Sequence, residues 1–296
     1  SPNGGASLVL DGIQANGNTG RGICIEPEGV TAGGNNQDAV LSMSRVQANG
    51  NGLEGIRLEQ YGARAIGLGG DASFRVQDVE VSGNGESGMY VYWYPASAAD
   101  GEAQASFDTV TADGNGGDGL HLDDEVAYSS GDASFEMTDV RANGNDDSGV
   151  YLFYSGANSW NGAADAVFLR VEASGNGDYG IYVDDHVARA GGAGAAALAE
   201  FSEVRANDNG LDGIHLDDAA ARADAIGGTA LLTLRDVDAS GNGVDGLLVN
   251  NVFAPNAGAD VVGERIRAVT NGNDGVQFLT TAAGYTYDFG GAGQSA

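Results

Sequence analysis

Apolar residues in this chain fall in i, i+2 pairs, and the pairs recur with a period a little over thirty residues. The period is marked by an asparagine at Asn18, Asn51, Asn84, Asn115, Asn145, Asn176, Asn209, Asn242 and Asn273, spaced by 33, 33, 31, 30, 31, 33, 33 and 31 residues. Ten and eight positions before it stand pairs such as Leu41/Met43, Phe74/Val76 and Leu232/Leu234; five and three before it stand Val46/Ala48, Val110/Ala112 and Val204/Ala206. A glycine follows four positions later in eight units, and at Gly275, two positions later, in the ninth. One and three positions beyond that glycine come pairs such as Ile56/Leu58, Leu120/Leu122 and Ile214/Leu216. Successive side chains of a strand point to opposite faces, so each pair marks a short strand with one face buried; helical spacing is absent. The pattern predicts an all-β, parallel β-helix of about nine turns, three short strands per turn, each pairing with its equivalent one turn on.

The recurring Asn belongs to that architecture. Its amide can donate to the equivalent Asn on one side and accept from the one on the other, so all nine positions are expected to form an internal Asn ladder. The glycines around it allow left-handed backbone at the corner. The connections between one turn and the next, such as Glu28–Ala39, Glu125–Ser134 and His186–Leu198, differ from one another and are expected to be loops that carry specificity. Residues 1–7 then form a lead-in, 8–279 a single β-helix domain and 280–296 an irregular tail.

Two outward features stand out on the strand after the glycine. Aromatic residues cluster on turns three to six: Tyr90, Tyr92, Trp93, Tyr94, Tyr151, Phe153, Tyr154 and Tyr182. Rows of exposed rings suit stacking on sugar faces or a protein contact; mutual stacking that stabilises the sheet is the other reading. Acidic residues cluster on turns six and seven: Asp184, Asp185, Asp217 and Asp218, with Asn250 and Asn251 one turn on. Oxygen donors of this kind favour calcium. The same acids with His186 or His215 also offer a pair for acid/base catalysis, and a solvated acidic stripe is the plain structural reading.

Composition narrows the partners. Formal charge is −29, with 13 Lys+Arg against 42 Asp+Glu, and every basic residue is Arg. Such a surface repels nucleic acid and anionic lipid, and no apolar run is long enough to span a membrane. Cys24 is the one cysteine, so no internal disulfide can form.

The Asn ladder, the three-strand turn and the Gly-Asn-Gly-x-Asp-Gly-Ile/Leu corner resemble the right-handed parallel β-helix repeat of pectate-lyase-like enzymes and of bacterial surface and secreted proteins, over roughly residues 8–279, which implies a right-handed coil. That resemblance implies an extracellular or cell-surface location. It leaves two functions: a structural or adhesive protein, passenger segment or filament subunit binding a partner, glycan or calcium; or a polysaccharide lyase, epimerase or hydrolase. Asp pairs are present, but the Gly-His-Gly and Lys-containing segments of those enzymes are missing, and the repeat is more regular than catalytic turns usually are. With no cap visible before Leu8, the expected partners include a longer parent chain or a second copy stacked end to end.

Overall fold

The computed structural model describes residues 4–255 and 258–279 and the backbone of Thr286–Gly290. It is a parallel β-helix of about nine turns, with no helix among the described residues. Three parallel sheets run along it, of ten, nine and eight strands, each strand pairing with its equivalent one coil away.

The assignment of strands to sheets differs from the expected one. The two apolar pairs before the Asn follow one another along a single sheet: in four coils one nine-residue strand, such as Ala39–Gln47 or Ala103–Thr111, reaches from the first pair into the second, and in others a shorter strand such as Ala164–Leu169 is followed by an isolated bridge at Glu172. They sit three residues apart in parity because a residue between them is left-handed: Arg45, Asp78, Thr109, Asp139, Arg170, Glu203, Asp236 and Arg265 have φ between 51° and 56°. Each turns the strand so that both halves point their apolar residues inward. The pair after the glycine forms the second sheet, as in Ile56–Leu58 and Ile214–Leu216. A third sheet lies within the segments expected to be loops, with strands Ala63–Ala65, Ala96–Ala98, Ala127–Ser129, Ala157–Ser159 and His186–Ala190. Its inward residues are small because a file of buried phenylalanines, Phe74, Phe107, Phe135, Phe168 and Phe201, fills the interior. A Cβ built on Gly62, just before this sheet, would lie 2.5 Å from Phe74 Cδ2.

The Asn ladder is present. From Asn18 to Asn209 each side chain donates through Nδ2 to the next Oδ1, at 2.8–3.1 Å, and each backbone N–H donates to the same oxygen. The ninth rung is a correction: Asn242 Nδ2 donates to Asn271 Oδ1 at 3.2 Å, while Asn273 donates to Asp245 at 2.8 Å. From Asn271 the interval to Gly275 is four residues, as in every other unit, so the last turn keeps the common spacing. The glycine four beyond the Asn is required by close approach. A Cβ on Gly88 would lie 2.6 Å from the carbonyl oxygen of Gly119 and 2.8 Å from Asn115 Nδ2. Left-handed backbone is needed instead at the glycine before the Asn, as at Gly83 and Gly114, with φ of 66° and 62°.

At the C-terminal side, Thr286–Gly290 pairs in parallel with the long strand Ala259–Glu264; the rest of 280–296 lies outside the described residues, as do Ser1, Pro2 and Asn3. No helix among the described residues is long and apolar enough to cross a membrane.

Candidate functional site

The outward face of the second sheet carries one ring per coil. Tyr90, His121, Tyr151, Tyr182 and His215 follow each other at centroid distances of 4.6, 4.8, 5.1 and 5.1 Å, one strand spacing apart. Arg57 caps the file, its guanidinium 5.0 Å from the Tyr90 ring centre. Carboxylates hold the polar atoms of these rings. His121 Nδ1 lies 2.7 Å from Asp118 and His215 Nδ1 2.6 Å from Asp212, while the Tyr182 hydroxyl donates to Asp184 at 2.8 Å and the Tyr90 hydroxyl to Asp123 at 3.3 Å. Burial, with Asp123 beside it, pushes the Tyr90 phenol up to about 12; burial and Asp184 do the same to Tyr151. These rings stack on each other and are half-buried, so Tyr90, Tyr151 and Tyr182 spend most of their area on the sheet itself.

A different set of rings is open to solvent at the corner between the second and third sheets. Tyr92, Trp93, Phe153 and Tyr154 are exposed there, at 42%, 38%, 37% and 44%. Tyr61 and Tyr94 stack at 5.6 Å and 15°, and Tyr94 meets Tyr128 at 5.1 Å. Trp93 stands edge-on to Tyr61 at 5.8 Å. The guanidinium of Arg64 lies 4.1 Å over the Tyr61 ring. Together with Ser130 and Trp160, itself 57% exposed, Tyr61, Arg64, Tyr94 and Tyr128 line a groove of about 330 Å³.

The corner has an inner column as well. Two residues before the register-matched Ala63, Ala96, Ala127, Ala157 and Ala188 stand Tyr61, Tyr94, Glu125, Ser155 and His186, one per coil. Glu125 accepts from Asn158 Nδ2 at 3.2 Å. Burial first, then the neighbouring Asp124 carboxyl, pushes Glu125 up to about 8, so it holds its proton at neutral pH. Both Tyr94 and Tyr128 are also raised, by burial and by the same two acids.

The four aspartates read from the sequence as a calcium site divide between two surroundings. Asp184 takes the Tyr182 hydroxyl and Asp217 takes Asn250 Nδ2, both on the sheet face. Asp185 and Asp218 instead flank His186. Its Nδ1 is 2.7 Å from Asp185 Oδ1 and its Nε2 is 3.2 Å from Asp218 Oδ2. His215 is not part of this group; it stays in the ring file with Asp212. Burial raises both aspartates; contacts with His186 and Asp218 outweigh it at Asp185, which is held below the usual carboxylate range, while Asp218 stays above it.

Sequence reasoning placed Trp93, Tyr154, Asp185 and Asp218 on this edge but missed Tyr61, Arg64, Tyr128, Glu125 and Ser155, which fall in the presumed loops. Their signal is the constant offset from a pair of small residues two apart, visible at Ala63/Ala65, Ala96/Ala98 and Ala157/Ser159. Comparison of the chain with protein-family models, with curated proteins and with solved structures finds no match.

Proposed function

We propose that this chain is the recognition segment of an extracellular or cell-surface β-helix protein, allied in architecture to the pectate-lyase-like proteins, and that its aromatic corner binds a neutral or amino-sugar-containing glycan. The observation that carries this reading is the groove lined by Tyr61, Arg64, Tyr94, Tyr128 and Trp160, about 330 Å³ in volume. Its rings are held by stacking on a rigid sheet edge and so lose little freedom when a sugar ring packs on them. Charge selects among glycans: at −29 the chain repels polyuronates and sulfated chains, and favours neutral or cationic sugars.

The test is binding of neutral, amino-sugar and uronic oligosaccharides by calorimetry, with Tyr94→Ala and Trp160→Ala. Neutral or amino-sugar ligands should bind, and each variant should weaken binding by about tenfold or more, as loss of an aromatic anchor commonly does. Binding confined to uronic chains, or unaltered in both variants, refutes the reading.

One observation favours the second reading, a polysaccharide-cleaving enzyme: Glu125, beside Tyr94 and Tyr128 of the groove and pushed up to about 8, keeps a proton at neutral pH as a general acid must. Chain shortening of a bound glycan that Glu125→Gln abolishes would establish that reading, and binding without cleavage excludes it.

A further inference from the structure

Among the described residues, the buried side-chain polar atoms with no hydrogen-bond partner are Glu125 Oε2, Ser155 Oγ and His186 Nδ1. All three occupy the same corner position in three successive coils, two residues before Ala127, Ala157 and Ala188. Buried polar groups in native interiors are paired with protein, water or an ion, so three such atoms in one file are positions for water or an ion to complete.

At the His186 end the surroundings show what kind of ligand fits. His186 is 2% exposed, and one donor atom from each of Asp185, His186 and Asp218 lies within 4.8 Å of the others. Nδ1 is close to Asp185 but out of line for a hydrogen bond, so a lone pair can point there without losing a partner. Charge at this edge is unbalanced. Asp185, Asp218 and Asp224 stand against Arg189 and Arg222, three carboxylates against two guanidinium groups, which leaves one negative charge over. Arg189 pairs with Asp224 at 2.8 Å, and Arg222 with Asp224 at 2.6 Å and with Asp218 at 3.5 Å.

We propose that Asp185, His186 and Asp218 bind a divalent transition-metal ion of the zinc class. One imidazole with two carboxylates suits zinc, manganese or cobalt, whereas calcium takes six to eight oxygens. Asp184 and Asp217, which would have to supply those oxygens, are held by Tyr182 and Asn250. With the metal on Nδ1, the imidazole proton sits on Nε2, and Asp218 leaves its 3.2 Å contact with that nitrogen to ligate the ion beside Asp185. Arg222, whose Nη1 now donates to Nε2 at 3.3 Å, would face a proton there once the ion is bound, and its positive charge opposes the ion, so it moves wholly to Asp224. The site is independent of the aromatic groove and of what that groove holds.

The experiment titrates zinc and, separately, calcium into the full chain at neutral pH, and measures metal retained after gel filtration. Zinc should bind in a 1:1 ratio, at least tenfold tighter than calcium, and cobalt in its place should give visible absorption bands of a nitrogen- and oxygen-ligated ion. Asp218→Asn, at an exposed position, should lower zinc affinity at least tenfold with the melting temperature of the metal-free protein unchanged, and Arg222→Ala should raise affinity. Should His186→Ala fail to fold, Asp185→Asn and Asp218→Asn decide the matter. No retained zinc, calcium binding tighter than zinc, or wild-type affinity in both aspartate variants overturns the proposal.

Discussion

Replacing Asn145 by alanine removes the middle of the ladder, and the structure says what is left behind. Asn145 is 2% exposed. Its Oδ1 accepts from the backbone N–H of Asn115 at 2.9 Å and from Asn115 Nδ2 at 3.0 Å; both donors lose their acceptor. Asn176 Oδ1 loses the Asn145 Nδ2 donor at 3.0 Å but keeps the backbone N–H of residue 145, also at 3.0 Å. Two buried donors without partners, at about 1–3 kcal/mol each, give an expected loss of roughly 2–6 kcal/mol. Asn18, at the first rung, is exposed, so water replaces what Asn18→Ala removes and the cost should stay below about 1 kcal/mol. Urea denaturation followed by far-ultraviolet circular dichroism measures both. Stacked repeats can unfold in stages, so the midpoint and the shape of the transition are compared as well as the fitted free energy. Equal costs at Asn145 and Asn18, or a loss below 1 kcal/mol at Asn145, would refute the view that the ladder satisfies the interior of the rod.

Two further outcomes follow from the same interior. Glu125 has an ordinary value of 4.5 and is pushed up to about 8 in the fold, so between those limits the folded chain keeps a proton that the unfolded chain releases. Its contribution to stability is therefore intact below about pH 4.5 and is lost as pH rises through 8; Glu125→Gln should be more stable than the parent at pH 8 by about 2–4 kcal/mol and equal to it at pH 4, read from paired denaturation curves. Phe168 is fully buried and stacks on Phe201 at 4.5 Å and 7°, so Phe168→Ala should cost about 3–5 kcal/mol and Phe168→Leu much less, a difference that equal melting temperatures would contradict.

The fold was legible because a solenoid repeats its instructions. Leu41/Met43 and Ile56/Leu58 recur as large apolar pairs in nearly every unit, and the Asn between them fixes the phase. The third sheet was illegible for a packing reason: with Phe74 and its equivalents filling the interior from the opposite side, only Ala, Ser and Gly fit, and such residues carry no hydrophobic signal. The ninth rung was misplaced because Asn271-Gly272-Asn273 offers two asparagines, and the left-handed Arg265, six before Asn271 as Arg45 is six before Asn51, shows which is in phase. For the site, the outer rings and acids were found from the strand they follow. What draws His186 between Asp185 and Asp218, and Tyr61 under Trp93, is contact between neighbouring coils at the corner, which no single unit of the sequence displays.

The chain's two tryptophans both stand at the aromatic corner: Trp160 lines the groove, and Trp93 packs edge-on against Tyr61, which also lines it. Tryptophan emission is therefore a direct reporter of the proposed recognition site. Titrating a neutral or amino-sugar oligosaccharide while recording that emission should give a saturable change in intensity and wavelength, with Trp160→Phe losing most of it and the fold unaltered. A ligand that binds by calorimetry while the emission of both tryptophans stays constant would place recognition elsewhere on the rod and contradict the account.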